Sequence, residues 1–489
     1  MGQRWTFGGG WTGETPGRRG APSASYRPWS PAHAHRRWPA PPLRLRATEA
    51  GPLPRFLLLY ALVYAAYGIE GPFLPALLAE RGLSAEMIGL VLAAGTGARL
   101  LSAPFAASLA DRFGAPRAAL GAALLLSALL GCGFVLASGF AGMLLVSILV
   151  AVALAPINPL ADALASAEAA KASAEARRGR GSGFSYGLVR GAGSAAFVGA
   201  AMVAGPVVVG AGLEMAVWAN AGLLILGALA VMALPRSGGA TGGEDGRYPS
   251  RVPPAPASRV AAEPGALRQL LAMPVFRRLL LVTGLVQGSH ALYGAFATLH
   301  WQAEGIAFET IGVLWSVAVA AEVGVFLLGP RLLGRFGPAG LAAVAAAAGV
   351  LRWGAMATTS DVVVQFLLQP LHGLTFAALH LATMRLLAET VPPRLSATAF
   401  GVQASLGPGL AGALLTLAAG PLYGALGAGA FWAMAALCAV ALPAALTLAA
   451  REEETEAPVA VPADPVAAPV PALAAGTTAL PAAPTAAVP

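Results

Sequence analysis

Between residues 55 and 450 ionisable side chains are scarce, and those that interrupt aliphatic runs are the ones placed to do chemistry. Glu70, Arg99, Asp162, Arg190, His290, Glu322, Arg352, His372 and His380 all sit in such runs. An ionised group at the centre of a hydrocarbon layer costs at least ~2.5 kcal/mol, so each is by default a pathway or coupling candidate. Spacing adds to this. Gln365, Gln369, His372, Phe376, His380 and Thr383 recur at intervals of three and four, which on a helix makes one stripe. A stripe with two Gln and two His is not expected to face lipid; it either lines a path or ties helices together by hydrogen bonds. Histidine changes charge between pH 5 and 8, so His372 or His380 could accept a proton or, once protonated, hold a carboxylate. Glu70 could carry a proton under the pressure of burial or be half of a buried ion pair. Tyr60, Tyr64 and Tyr67 share its segment and offer rings and hydroxyls; Tyr293 and Trp301, downstream of Gln287 and His290, can do the same. For any single aromatic, packing is the plainer role.

The elements that must position these residues follow from composition. Of 489 residues 57% are hydrophobic and only 11% charged, against about 25% charged in globular domains, and the mean hydropathy is +0.69. This excludes a soluble enzyme and a disulfide scaffold. The sequence pI near 10.1 does not signal nucleic acid, because the Arg residues recur between apolar spans and form no patch with interleaved aromatics. Cys132 and Cys438 lie inside apolar runs, so no oxidised framework is expected. A crossing needs roughly 20 apolar residues. Twelve spans satisfy this, near 55–79, 87–109, 117–137, 140–164, 184–206, 213–235, 276–300, 309–330, 338–358, 361–387, 397–420 and 429–450.

Arg and Lys concentrate in alternate loops: Arg112 and Arg117; Lys171, Arg177, Arg178 and Arg180; seven Arg between 236 and 278; Arg331 and Arg335; Arg394. The other set of loops holds only Arg81, and the positive-inside rule then places both termini in the cytoplasm. The chain divides into a basic N-terminal tail (1–54), expected to be disordered or a mis-assigned start; a six-helix half (55–235); a Pro/Gly/Arg-rich cytoplasmic linker (236–275); a second six-helix half (276–451); and a Pro/Ala-rich tail (452–489), also expected to be disordered.

An offset of 223 residues carries Glu86 onto Glu309, Gly89 onto Gly312, Phe113 onto Phe336 and Gly71 onto Gly294, so the second half reads as a diverged copy of the first. A parallel duplication of this kind is typical of transporters. Small residues at every fourth position support close helix packing: Gly89, Ala93, Gly97; Gly187, Gly191, Ala195, Gly199; Gly312, Ser316, Ala320, Gly324; Gly401, Ser405, Gly409, Ala413. The same offset sets Glu322 against Arg99, opposite charges at equivalent positions, which suggests a switch; each could instead have its own local partner, Arg352 for Glu322. Asp162 and Arg190 could pair and latch the cytoplasmic mouth.

Leu109-Ala110-Asp111-Arg112-Phe113-Gly114, followed by Arg117, resembles the loop-2/3 motif of the major facilitator superfamily, with Ala107 in place of its first Gly. Asn158-Pro159-Leu160-Ala161-Asp162, Tyr186-Gly187-Leu188-Val189-Arg190, Gln287-Gly288-Ser289-His290, Leu314-Trp315-Ser316, Arg352-Trp353-Gly354 and His372-Gly373-Leu374-Thr375-Phe376 together look like the phenylpropionate permease family. Glu70-Gly71 stands where that family usually has apolar residues, and Ala192 replaces a usual Trp. The resemblance implies an all-α membrane fold of twelve helices. Spans one, four, seven and ten would line a central cavity, and two, five, eight and eleven would form the seam between the halves.

Taken together, these readings lead to an alternating-access secondary transporter in the inner membrane. The expected cargo is a small aromatic carboxylate taken up with protons, and a monomer is expected, with no nucleic-acid partner. Sugar or nucleoside symport, a broad-specificity exporter and a non-transporting receptor stay open. The substrate path is drawn through Tyr64, Tyr67, Gln287, His290, Tyr293, Gln365, Gln369, His372 and Phe376. Proton coupling falls to Glu70, Glu322, His372 and His380, and gating or ion pairing to Arg99, Asp111, Arg112, Asp162, Arg190 and Arg352. Catalysis, a metal and a cofactor are not expected. Gly183-Phe184-Ser185-Tyr186-Gly187 matches G-x-S-x-G but opens a membrane helix rather than a strand-turn-helix elbow, and there is no H-E-x-x-H, paired-Cys pattern or phosphate loop.

Overall fold

Proline and capping side chains mark where the helices begin. The computed structural model describes residues 51–113, 115–179, 182–235, 265–332 and 336–455, without the side chains of 104, 106–113, 330–332, 397 and 449–455. The expectations for the two tails fall almost wholly outside the described residues, as does that for most of the linker; the side chains of Asp111 and Arg112 are outside them too. Pro in the first turn starts α1 (Leu53–Glu70), α4 (Pro116–Gly131), α11 (Pro274–Gly288) and α14 (Pro338–Thr358). Its missing N–H is one that no helical carbonyl would have accepted there. Ser185 caps α8 (Tyr186–Ala211) by accepting from the Leu188 amide, and Asp361 caps α15 (Val362–Leu368) by accepting from Val364 at 3.0 Å.

The remaining helices are α2 (Leu74–Glu80), α3 (Ala85–Phe113), α5 (Gly133–Leu136), α6 (Gly139–Leu154), α7 (Ile157–Arg177), α9 (Glu214–Met232), α10 (Ala266–Ala272), α12 (His290–Ala303), α13 (Phe308–Leu332), α16 (Leu379–Thr390), α17 (Ser396–Ala404), α18 (Leu410–Leu426) and α19 (Ala430–Thr455). No strand occurs among the described residues.

Among the described residues, eleven helical stretches are long and apolar enough to cross a bilayer. The sequence reading expects twelve, and the difference lies in the last stretch, residues 398–448, which at 51 residues is over twice a single crossing. It is interrupted at Gly427, whose φ of 53° is left-handed and readily adopted only by glycine. That leaves 398–426 and 430–448, each of crossing length.

Helices before residue 236 pack chiefly on one another (α1 on α8 and α9, α4 on α9, α3 on α6), and those after 265 do likewise (α14 and α11 on α19). The two groups meet where α8 lies along α13, where α3 lies along α18, and where the short α2 touches α12. These junctions are closest at one face, here termed distal, which holds the α2–α3, α8–α9 and α12–α13 connections; the opposite face is termed proximal. At the distal end a Cβ added to Gly89 would lie 2.7 Å from the Gly420 Cα, and one on Gly205 or Gly312 would run into the carbonyls of Phe308 or Ala201. Thr298 on α12 donates to the Pro72 carbonyl at 2.6 Å, Trp315 on α13 donates to Thr298 at 3.1 Å, and Ser316 donates to Val198 at 2.9 Å. Towards the proximal end the ladders come apart: Gly97, Gly187, Gly191, Gly324 and Gly401 show no close approach between the halves, and all but Gly187, which is 4.0 Å from its own cap Ser185, meet nothing within 4 Å. Among the described residues the halves are therefore zipped distally, and these five glycines make no matching contact proximally.

Breaks interrupt the crossings expected to line the cavity. The first breaks between α1 and α2 at Gly71–Phe73, the fourth between α6 and α7 at Ala155–Pro156, and the seventh between α11 and α12 at Ser289. The tenth contains a π turn over Gly373–Ala378. Broken helices free backbone groups, and in membranes such sites persist where protein or a cavity surrounds them.

Candidate functional site

The Ser289 break brings α12 to the centre of the second half. Ser289 is fully buried and accepts from Trp353 Nε1 at 2.8 Å, while donating to the Val286 carbonyl at 2.7 Å. The next residue, His290, has Nδ1 3.1 Å from the Val286 carbonyl and Nε2 2.9 Å from the Thr375 hydroxyl. A carbonyl can only accept, so Nδ1 carries the proton and Nε2 accepts from Thr375. Both ring nitrogens are thereby committed.

Opposite His290, ring centroids 5.2 Å apart, lies His372. Arg352 Nη1 stands 3.0 Å from His372 Nδ1. Because a guanidinium donates and never accepts, His372 receives that bond as a neutral ring and points Nε2–H at the Glu322 carboxylate, 3.6 Å away. Gly373 makes the approach possible: a Cβ there would lie 2.8 Å from the Ala321 carbonyl and 2.9 Å from Val325 Cγ2. Arg352 is 0% exposed and also donates to Gln369 Oε1 at 3.1 Å. It stacks 4.5 Å from the Tyr293 and Trp353 ring centres and pairs with no carboxylate within 4 Å among the described residues. The expected Arg352–Glu322 pair is thus replaced by a chain in which His372 stands between the two. Phe376 stacks on His372 at 5.5 Å, and Tyr293 donates to Gln369 at 2.9 Å.

The first half presents aromatic rings and cations. Tyr60 and Tyr64 stack at 5.9 Å, and Tyr67 meets Tyr64 edge-on at 5.6 Å. The Arg190 guanidinium lies 4.4 Å over the Tyr64 ring, an approach that Gly193 permits, since a Cβ there would lie 2.8 Å from that ring. Asp162 does not pair with Arg190 as the latch reading expects; it accepts from the Tyr60 hydroxyl at 2.5 Å, and Tyr186 lies beside it. Tyr67 donates to Asn158 at 3.5 Å. Arg99 is exposed and within electrostatic reach of Tyr64 and Tyr67. Arg99 and Glu322 do not form an ion pair.

Other expected site residues lie elsewhere. Gln365 and Gln369 are both fully buried. Gln365 accepts from Trp301 at 3.2 Å and donates to the Thr359 carbonyl at 2.8 Å, so its amide is spent on tying helices. The stripe does not continue as a single face. The π turn adds a residue to its turn and rotates the rest of the helix, leaving His380 exposed against Phe326 at 5.9 Å while Thr383 is buried. Gln287 contributes its backbone carbonyl to His290. Glu70 ends α1 two residues before Pro72, whose carbonyl accepts from Thr298, and its carboxyl makes no hydrogen bond or ion pair among the described residues. Ser289 and Thr375, quoted above only as members of family-like motifs, join the network through their hydroxyls, and Thr298 on the same helix as His290 bonds Trp315 with no sequence signal beyond a hydroxyl inside an apolar run. No cluster of His, Cys, Asp and Glu among the described residues could hold a metal.

The sequence profile of the MFS_1 like family matches residues 54–434. The "Probable 3-phenylpropionic acid transporter" of Escherichia coli (strain K12) is 33% identical over 395 residues, 79% of this chain and 94% of that protein. The maltose permease of Geobacillus stearothermophilus is 26% identical over 401 residues, 82% of this chain and 95% of that protein. Among solved structures, the nucleoside transporter NupG superposes with a TM-score of 0.66 at 15% identity, over 83% of this chain and 100% of its own. A bacterial homologue of the human lysosomal transporter Spinster, in an inward-facing and unoccupied conformation, gives 0.60 at 17% identity, over 84% and 98%. The chain belongs to the MFS_1 like family and is a multi-pass membrane transporter of the major facilitator superfamily.

Proposed function

We propose that the chain is a proton symporter importing a small aromatic carboxylate of the 3-phenylpropionate type, working as a monomer in the inner membrane. In this reading both termini and the 236–275 linker are cytoplasmic, the halves are 55–235 and 276–451, and the tails 1–54 and 452–489 lie outside the transport body. The proximal face is then cytoplasmic, and a shut distal seam is the inward-facing arrangement of the two halves. The carrying observation is the Glu322 carboxylate facing His372 across 3.6 Å. Because Arg352 fills the other nitrogen of His372, the ring is a fixed donor, and Glu322 is the group free to gain and lose a proton. With the distal side open, Glu322 takes a proton and the substrate enters; the halves rock, and proton and substrate leave proximally. Rings for an aromatic acid are at hand in Tyr64, Tyr67 and Phe376, and the name of the Escherichia coli relative supports the same class.

The test is uptake of labelled 3-phenylpropionate into cells expressing the full chain at pH 6 and pH 8, with and without a protonophore. Accumulation abolished by the protonophore and blocked by aromatic acids is expected; no uptake by correctly inserted protein overturns the proposal. A sugar cargo is the second reading, favoured by the 26% identity to a maltose permease, and competition by maltose in the same assay would select it.

A further inference from the structure

We infer that Arg190, assisted by Arg99, binds the substrate carboxylate while Tyr64 and Tyr67 carry its ring, so that one half holds the organic anion and the other handles the proton. The inference rests on the aromatic-acid reading and deepens it by assigning the binding groups.

Unspent charge marks the site. A guanidinium has five N–H donors in a planar fork. Arg190 uses one of them, in a long 3.4 Å bond to Ser194, and otherwise rests on the Tyr64 ring. It makes no ion pair among the described residues, and neither does Arg99. Asp162, the acid in the same half that lies within electrostatic reach of these rings, is bound to Tyr60 at 2.5 Å. Two cations beside one aromatic surface, neither in an ion pair among the described residues, make a site for an anion that carries a flat apolar group. A carboxylate bound side-on by Arg190 places its own ring against Tyr64 and Tyr67, which meet at 69° and so offer both a face and an edge. Arg352 cannot take this part. It is 0% exposed, and its two terminal nitrogens hold His372 and Gln369.

The same placement explains coupling. Glu322 and Arg190 lie within electrostatic reach of each other across the space between the halves. An ionised Glu322 and a substrate carboxylate compete for one guanidinium, so the acid binds well only after Glu322 has taken a proton.

The experiment measures binding of 3-phenylpropionate and of uncharged 3-phenylpropan-1-ol to the purified full-length protein by titration calorimetry. Losing a charge-assisted hydrogen bond is expected to weaken the acid about 10- to 100-fold in Arg190→Gln and to flatten the pH dependence of its affinity, with binding of the alcohol unchanged. Arg99→Gln should show a smaller loss for the acid alone. Arg190→Lys keeps the charge but not the fork, and should fall between wild type and Arg190→Gln. If Arg190→Gln does not fold, Arg190→Lys and Arg99→Gln carry the test. Should the wild type bind the acid and these variants bind it equally well, the assignment of the arginines fails while the transport reading stands. A wild type that binds no aromatic acid overturns both.

Discussion

Replacing Gly420 by Ala should drive the transporter out of the distally closed state, and the size of the effect can be worked from the seam. Gly420 lies on α18 where it crosses the start of α3. A Cβ there would lie 2.7 Å from the Ala85 carbonyl oxygen, 3.0 Å from the Glu86 Cα and 3.2 Å from the Glu86 oxygen. All three are backbone atoms, so no side chain can swing away. Nor is there slack on the other helix, since Gly89 already faces Gly420. Ordinary contact begins near 3.4 Å, so the helices must part by about 0.7 Å at this point. Overpacking of this order costs about 1–3 kcal/mol. The cost falls only on the state in which the distal seam is shut, because parted helices leave room for the methyl. A bias of about 1–3 kcal/mol shifts a two-state equilibrium about 5- to 150-fold.

The assay is a pulsed dipolar distance measurement between labels at Ser84→Cys and Ala307→Cys. Both residues are exposed on distal connections of opposite halves, and Cys132 and Cys438 would first be replaced by Ala. Gly420→Ala should enlarge the long-distance population. Gly412→Ala, on the same helix with nothing within 4 Å of its added Cβ, should not. Identical distributions for the two variants would refute the argument that this seam holds the conformation.

The site itself sets three further outcomes. Glu322→Gln should abolish accumulation driven by a pH gradient and make uptake at pH 6 and pH 8 alike, while exchange of internal for external substrate persists; undiminished accumulation would remove Glu322 from the coupling path. Arg352→Met strips His372 and Gln369 of their donors, two charge-assisted bonds worth about 1.5–3 kcal/mol each, so thermal unfolding should begin several degrees earlier, and a wild-type melting curve would contradict the role given to it. Gly373→Val must push α13 from the tenth crossing beside Glu322; about 1–3 kcal/mol of overpacking should lower uptake about tenfold with surface expression unchanged, read by parallel uptake and labelling.

What was legible in the sequence depended on how local the signal is. Apolar runs of crossing length and the 223-residue repeat are properties of contiguous residues, so the membrane fold and its duplication could be read directly. The small-residue ladders were legible too, but not their unequal use: Gly89 and Gly97 look alike in sequence, and only the rocked arrangement of the halves shows that the first is clamped against Gly420 and the second meets nothing.

The site was harder because its partners come from different crossings and from backbone irregularities that no residue type announces. Gly373-Leu374-Thr375-Phe376-Ala377-Ala378 contains nothing that demands a π turn, yet that turn takes His380 off the stripe and leaves Thr375 bound to His290. Arg352 belongs to the ninth crossing, which the resemblance assigns neither to the cavity nor to the seam. The length of an arginine side chain decides otherwise, carrying its guanidinium to His372 and making a peripheral helix the source of the charge at the centre. Charge pairing misled for the same reason. Opposite signs at Asp162 and Arg190 suggested a bond, but Tyr60 reaches the carboxylate first, and the arginine is left with one long bond to Ser194 and the face of Tyr64. In a membrane interior, where an unspent cation is costly, that residue is a stronger pointer to a ligand than any of the satisfied histidines.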